Sequence, residues 1–432
     1  MSESLTADLS PLPGQDPHVR RSVLPGGVRL LTERMAHVRS ATIGAWLPVG
    51  SRDEANGHFG STHFLEHLLF KGTGRRDAME IAASFDRVGG EANASTAKEH
   101  TCYYARVLDK DLPMALDVLL DMVTSALLDP AEFELERGVI LEELAMTEDD
   151  PHEMAHEAFA AAVFGSNPLA RPIGGTAQTI RDVPRTAVWE HYRTHYRPET
   201  LIVAAAGNVD HDELAGLVGQ ALDRGGWDRG DDAGPRPRRS DCLAQPLPHV
   251  GARCEVNRPV EQAQLILGCE GLAAMDPRRH AFGVLTTVLG GGMSSRLFQE
   301  IRERRGLAYS TYAFGTGHAD TGSFGLFAGC GPGVAEDVVQ LLGAQLDLLA
   351  AKGIRDEELA RAKGQLGGGL VLGMEDSSSR MTRLGRAEIV TGELPTLDEM
   401  LVRVDRVRAG EVAALAEDLA ARPRHEIRLV PA

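Results

Sequence analysis

Positive charge is in short supply in this sequence. Its 45 lysines and arginines stand against 62 aspartates and glutamates, which leaves a formal net charge of −17. So acidic a chain offers little to a phosphate backbone, which argues against nucleic acid as a partner. It favours solubility and attracts basic ligands instead. Long apolar runs are missing as well: no window approaches the ~20 consecutive apolar residues of a membrane span. The opening stretch, MSESLTADLSPLPGQDPHVRRSVLPGG, holds no apolar signal core, and Asp8 and Asp16 are out of place in a transit peptide. A cytoplasmic protein without membrane attachment is the expectation, with residues 1–20 as a flexible tail. Cysteine is sparse and scattered, as Cys102, Cys242, Cys254, Cys269 and Cys330. No two of them have the spacing of a zinc knuckle or a redox pair. Reduced, buried thiols are therefore expected.

What remains is the balance of an ordinary globular protein, 43% hydrophobic and 25% charged, over a length that suggests two or three domains. The stretch DRGGWDRGDDAGPRPRRSDCLAQPLP, from Asp223 to Pro248, is dense in glycine, proline and charge and reads as a linker. It separates residues 21–222 from 249–432. The halves run in parallel. Strand-like Ala41 to Gly50, an alternating segment from Gly89 to Leu108 and a helical Leu112 to Leu128 have counterparts in the second half. These are strand-like Ala263 to Gly271, a helical Ala281 to Gly306, alternating strands after Leu307 and a helical Val334 to Gly353. Strands of antiparallel type mixed with long helices give the α+β class, and so long a period means duplicated domains rather than a solenoid.

Chemistry concentrates in HFLEHLLFKGT, residues His63 to Thr73. In a helix turning about 100° per residue, His63, Glu66 and His67 share one face while Leu65, Leu68 and Leu69 anchor the other. Two neutral imidazoles at i and i+4 can hold one zinc ion, and the glutamate beside them suits a general base for the water that a metal activates. This is the order H-x-x-E-H, the inverzincin motif. A catalytic zinc needs a third protein ligand. The helix that starts near Asp129, with Asp129 as N-cap, Pro130 at its first position and Glu132 three residues after the cap, is the best source. On it Glu136 and Glu143 lie within about 20° of each other, and Glu142 points about 100° away from Glu143.

GSTHFLEHLLFKGT, GGEANASTAKEHTCYY, ERGVILEEL and SRLFQEIRERRGLAYSTY, taken in this order, resemble the pitrilysin and mitochondrial processing peptidase family of zinc metalloendopeptidases. The resemblance runs from about Val28 to the end. It implies a fold of two homologous domains, each a mostly antiparallel sheet packed with helices. It implies one zinc ion per chain on His63, His67 and Glu143, with Glu66 as general base and Glu136 supporting the metal site from behind its ligands. Arg302 and Tyr309, seven residues apart, match a family pair that reaches the active site from the second domain. Asn93, Ala94, Ser95 and Thr96 match an edge strand that binds an extended peptide. Glu153 and Glu157 match acidic residues that receive a substrate arginine in the processing members.

The resemblance further implies a closed chamber of four homologous domains, so a homodimer is expected to complete it. Its substrates would be unfolded or short peptides, basic and presequence-like. The second domain lacks H-x-x-E-H and is expected to bind peptide and close the chamber. His152 and His156, without a carboxylate third ligand, are expected at the surface. Some relatives of this kind are non-catalytic, so a peptide-binding or structural subunit is the alternative reading.

Overall fold

The computed structural model describes residues 7–8, 16–227, 234–239, 247 and 250–432. Residues 1–6 and 9–15 of the expected tail, much of the expected linker and Cys242 lie outside the described residues. Residues 16–20 are not tail. Asp16 is buried, its backbone N–H donates to the Leu394 carbonyl at 3.1 Å, and a strand begins at Val19. No described helix is long and apolar enough to cross a membrane.

The chain folds into two compact units. The first is built on a seven-stranded sheet. From one edge its strands are Glu91–Thr96, Thr101–Leu108, Ser40–Leu47, Ile202–Gly207, Arg29–Arg34, Val19–Val23 and Ala7–Asp8. The second has five, in the order Ala308–Gly317, Gly322–Cys330, Ala263–Glu270, His425–Pro431 and Arg253–Arg258. In each sheet the fourth strand pairs in parallel with the fifth and antiparallel with the third. The shared order is the structural mark of the repeat that the parallel sequence halves suggest.

The units are not divided by one cut within 223–248. Residues 145–171 belong to the second unit and residues 372–397 to the first. The reason lies in the sheets, which are apolar on both faces and so need two covering layers. In the first unit Leu30, Ala45 and Val203 face a core with Phe64, Leu116 and Val218, whereas Leu31, Trp46 and Ile202 face the other way. That second face is covered by Met381, Leu384 and Ile389 of the helix Ser377–Val390. In the second unit the same service falls to Ala155, Phe159 and Val163 of the helix Pro151–Phe164, packed on Ile266, Phe327 and Ile427. Each sheet thus takes a helix from the other half of the sequence.

The helix expected across Ala281 to Gly306 is also broken. It runs Arg279–Gly290 and resumes as a π-helical turn, Phe298–Glu303. Gly290 sits so close to the neighbouring strand that a Cβ there would meet the Ala313 nitrogen at 2.0 Å.

Burial of His191 is expected to make the fold acid-sensitive. His191 lies beneath the His63 helix with Nε2 3.1 Å from the Thr62 hydroxyl. Burial, reinforced by His195 and His58, pushes its imidazole down to about 3. The unfolded chain then binds a proton that the folded chain refuses, so stability is lost as pH falls from about 6.5 towards 3. Each pH unit in that window costs up to about 1.4 kcal/mol. Urea unfolding at pH 7 and pH 5 is expected to show a smaller loss for His191→Gln than for wild type. Equal losses would show that other groups carry the acid sensitivity.

Candidate metal centre

The helix Ser61–Leu69 begins where Gly60 adopts φ 91°, a left-handed conformation that suits glycine. Glu54, buried in the preceding loop, accepts the N–H groups of Gly60 and Thr62, both at 2.8 Å. A carboxylate at this end also answers the helix dipole. Phe64, Leu65, Leu68 and Leu69 are buried in the core, which leaves His63, Glu66 and His67 on the half-buried opposite face.

The second element is the helix Pro130–Glu148, capped by Asp129, whose carboxylate accepts the N–H of Ala131 at 2.7 Å. Phe133 of this helix stacks on Phe64 with ring centroids 4.4 Å apart. The Arg137 guanidinium lies over both rings and donates to the Ile180 and Val183 carbonyls. This packing sets the height of one helix against the other.

As a result three donor atoms meet. The Nε2 atoms of His63 and His67 are 3.3 Å apart, and Glu143 Oε2 is 3.6 Å from the first and 3.4 Å from the second. Donors placed tetrahedrally about 2.0–2.1 Å from a zinc ion would be ~3.3–3.4 Å from one another. The triangle therefore fits zinc. Among the described residues His63, His67 and Glu143 form the one cluster of three or more such side chains that converges in this way.

The electrostatics agree with the geometry. Burial and the neighbouring His67, partly opposed by Glu143, push the His63 imidazole down to about 4, so it stays neutral with a lone pair to give. Glu136 is buried, which raises its pKa, but hydrogen bonds from Lys71 and His67 outweigh this and hold it below the usual carboxylate range. Its Oε2 is 2.9 Å from His67 Nδ1 and its Oε1 is 2.6 Å from Lys71 Nζ. An ionised Glu136 keeps the imidazole proton on Nδ1 and leaves Nε2 free to coordinate. Glu66 Oε2 accepts a hydrogen bond from the Thr96 hydroxyl. Thr96 ends the edge strand Glu91–Thr96, on which Ala92, Ala94 and Thr96 are half-buried while Asn93 and Ser95 are exposed.

Other residues singled out in the sequence lie in the second unit. Arg302, on the π-helical turn, is held over the rings of Phe298 and Tyr309 at 4.7 and 4.6 Å and donates to the Tyr309 carbonyl at 3.0 Å. Tyr309 sits at a register shift in its strand and is 76% exposed, the re-aimed side chain that a bulge produces. Glu153 and Glu157 are exposed on the helix Pro151–Phe164. His152 and His156 on that helix are not plain surface residues. Each places Nε2 2.6 Å from the Tyr312 hydroxyl, and both rings pack against Phe327. The aromatic strand face recruits them, and Tyr312 is too distant in sequence for spacing to announce it.

Four contributors escaped the sequence reading. Lys71 is detectable in principle, since it continues the i+4 series His63, His67, Lys71. Glu54, His191 and the side-chain role of Thr96 have no such signal, because their contacts are made across loops and strands.

Comparison with known proteins agrees with this architecture. Residues 29–177 match the family profile described as Insulinase (Peptidase family M16), and residues 182–366 match the profile described as Peptidase M16 inactive domain. An uncharacterized zinc protease of Streptomyces coelicolor is 50% identical over 413 residues, covering 94% of this chain and 88% of the relative. One from Mycobacterium tuberculosis is 46% identical, covering 93% and 91%, and one from Bacillus subtilis is 36% identical, covering 93% and 95%. Among solved structures, a protease from Helicobacter pylori superposes with a TM-score of 0.89 at 22% identity, over 96% of this chain and 100% of the other. A peptidase M16 inactive domain from Pseudomonas fluorescens gives 0.86 at 18%, over 96% and 98%. These two likenesses concern the fold. With a zinc-shaped donor triangle built from an H-x-x-E-H helix and the glutamate of a second helix, and relatives this similar along nearly its whole length, the chain belongs to peptidase family M16.

Proposed function

We propose that this protein is a zinc-dependent endopeptidase acting on unfolded or short peptides. The observation that carries the reading is the donor triangle of His63, His67 and Glu143, with Glu66 beside it on the same helix face. Zinc held there would supply Lewis acidity, polarising a peptide carbonyl and making water more acidic. Glu66 takes the proton from the attacking water and returns it to the leaving amine. Glu136 holds His67 in the required tautomer. The edge formed by Asn93, Ala94, Ser95 and Thr96 takes an extended peptide through main-chain hydrogen bonds, a mode indifferent to substrate sequence but closed to folded proteins.

Glu153 and Glu157 are assigned to basic substrate side chains, and a second copy of the chain to the remaining chamber walls. The second half carries no H-x-x-E-H, and its match to a profile described as inactive supports a binding role for it.

The test is a fluorogenic, unstructured basic peptide assayed with zinc-loaded and chelator-treated protein. Cleavage that chelator abolishes and zinc restores is expected, with one zinc per chain by metal analysis. Peptide binding without turnover by the loaded protein would favour a non-catalytic binding subunit.

Arg302 and Tyr309 are assigned to substrate carbonyls and to the oxyanion. Tyr309→Phe is expected to lower kcat by about 10²-fold, the scale of a lost oxyanion donor. Arg302→Ala should lower turnover in the same direction, and metal content should stay at wild-type level in both. Normal cleavage by both variants would reduce this part of the second half to scaffold.

A further inference from the structure

The Thr96 hydroxyl donates to Glu66 Oε2, and hairpin and turn contacts constrain the backbone that carries it. Its backbone faces Thr101 across the hairpin, and the next residue closes the turn, with Ala97 N–H bonded to the His100 carbonyl at 2.8 Å. The turn is tied down from outside. Ser51 and Arg52 N–H groups donate to the Ala97 and Lys98 carbonyls at 3.2 and 3.0 Å, and a Cβ on Gly50 would meet the Ala97 oxygen at 2.3 Å. Threonine is β-branched and stiff at χ1, so the hydroxyl inherits the rigidity of the strand. Glutamate has no such stiffness, and its terminal torsion is broad. A glutamate on a half-buried helix face therefore needs an outside partner to hold its carboxylate in one orientation.

We propose that Thr96 is a positioning residue for Glu66: its side chain fixes one carboxylate oxygen so that the other faces the water whose proton is to be taken. This rests on the endopeptidase reading and deepens it. The residue whose backbone ends the peptide-binding edge also orients the proton acceptor, so the two are held in register by one side chain. Preorganisation of this kind is what a catalytic carboxylate requires, since small misplacements are costly in rate.

The test compares Thr96→Val, which keeps the shape and removes the donor, with Thr96→Ser, which keeps the donor. Thr96→Val is expected to lower kcat about tenfold or more with KM and zinc content unchanged, and Thr96→Ser to recover most of that loss. Peptide affinity is measured by fluorescence anisotropy in a Glu66→Gln background, where turnover is removed. It should be the same whether Thr96 is kept or the Thr96→Val change is added. A crystal structure of the zinc-loaded Thr96→Val protein should show the Glu66 carboxylate turned from its wild-type orientation.

Unchanged kcat, or an unmoved Glu66 in that structure, would overturn the assignment. So would a rise in KM and weaker peptide affinity at constant kcat, because Thr96 would then be a substrate contact only. Loss of zinc or of folded protein in Thr96→Val without rescue by serine would likewise replace positioning with a structural role. If wild-type protein fails to cleave any peptide, the endopeptidase reading falls, while the orientation of Glu66 in the two crystal structures still decides the role of Thr96.

Discussion

Glu66→Gln is expected to lower peptide hydrolysis about 10²–10⁴-fold, the usual contribution of a positioned general base. The amide has the size of the carboxylate, and its oxygen can still accept the hydrogen bond from Thr96. It cannot take up a proton at neutral pH. His63, His67 and Glu143 are untouched by the change, so zinc content and peptide affinity should remain at wild-type values. Steady-state kinetics, metal analysis and peptide binding on the same preparation check the three parts separately. Turnover within a few fold of wild type would remove Glu66 from the chemistry. Loss of zinc together with activity would mean that Glu66 supports the metal rather than the proton transfer.

Glu143→Gln is expected to empty the centre, and Glu142→Gln to leave it filled. The two glutamates are neighbours in sequence, but a helix turns about 100° between them. Glu143 Oε2 lies 3.6 and 3.4 Å from the two imidazole nitrogens, and the converging set does not include Glu142. A neutral amide oxygen is a poor substitute for an anionic ligand to a divalent cation. The fall in affinity should exceed the ~10–100-fold that an outer partner such as Glu136 contributes. Zinc retained after dialysis against a competing chelator decides between the variants, with circular dichroism to show that both are folded. Metal loss in Glu142→Gln and retention in Glu143→Gln would mean that the helix is turned differently from its position here.

Glu66 and Glu143 differ in how far the sequence alone identifies them. Glu66 is visible in the sequence because H-x-x-E-H is local: three side chains within five residues share a helix face by helical geometry alone. The capped start of the next helix is equally plain, since Asp129 and Pro130 announce it and Asp129 indeed accepts the Ala131 N–H. Periodicity places Ser40–Leu47, Leu112–Ser125, Ala263–Glu270 and Ala335–Lys352 within a few residues of their observed ends. It fails at Gly290, where an apolar, helix-compatible stretch bends to let a strand come close. Residue spacing leaves Glu136 and Glu143 together on one face and cannot say which reaches the histidines.

By itself, then, the sequence determined the local elements, the duplication behind the two sheets and the identity of the chemical groups. Each of these depends on interactions over a few residues or on a pattern repeated along the chain. Tertiary structure decided what depends on long-range packing. The stacking of Phe64 on Phe133 under Arg137 sets the spacing of the two site helices, so Glu143 meets the imidazoles while Glu136 passes behind His67 to Lys71. Both sheets need cover on two faces, so the helices Pro151–Phe164 and Ser377–Val390 join the unit opposite to the one their place in the sequence suggests. Thr96 reaches Glu66, and Tyr312 reaches His152 and His156, only because a strand and a helix remote in sequence are packed face to face, and no residue spacing encodes that.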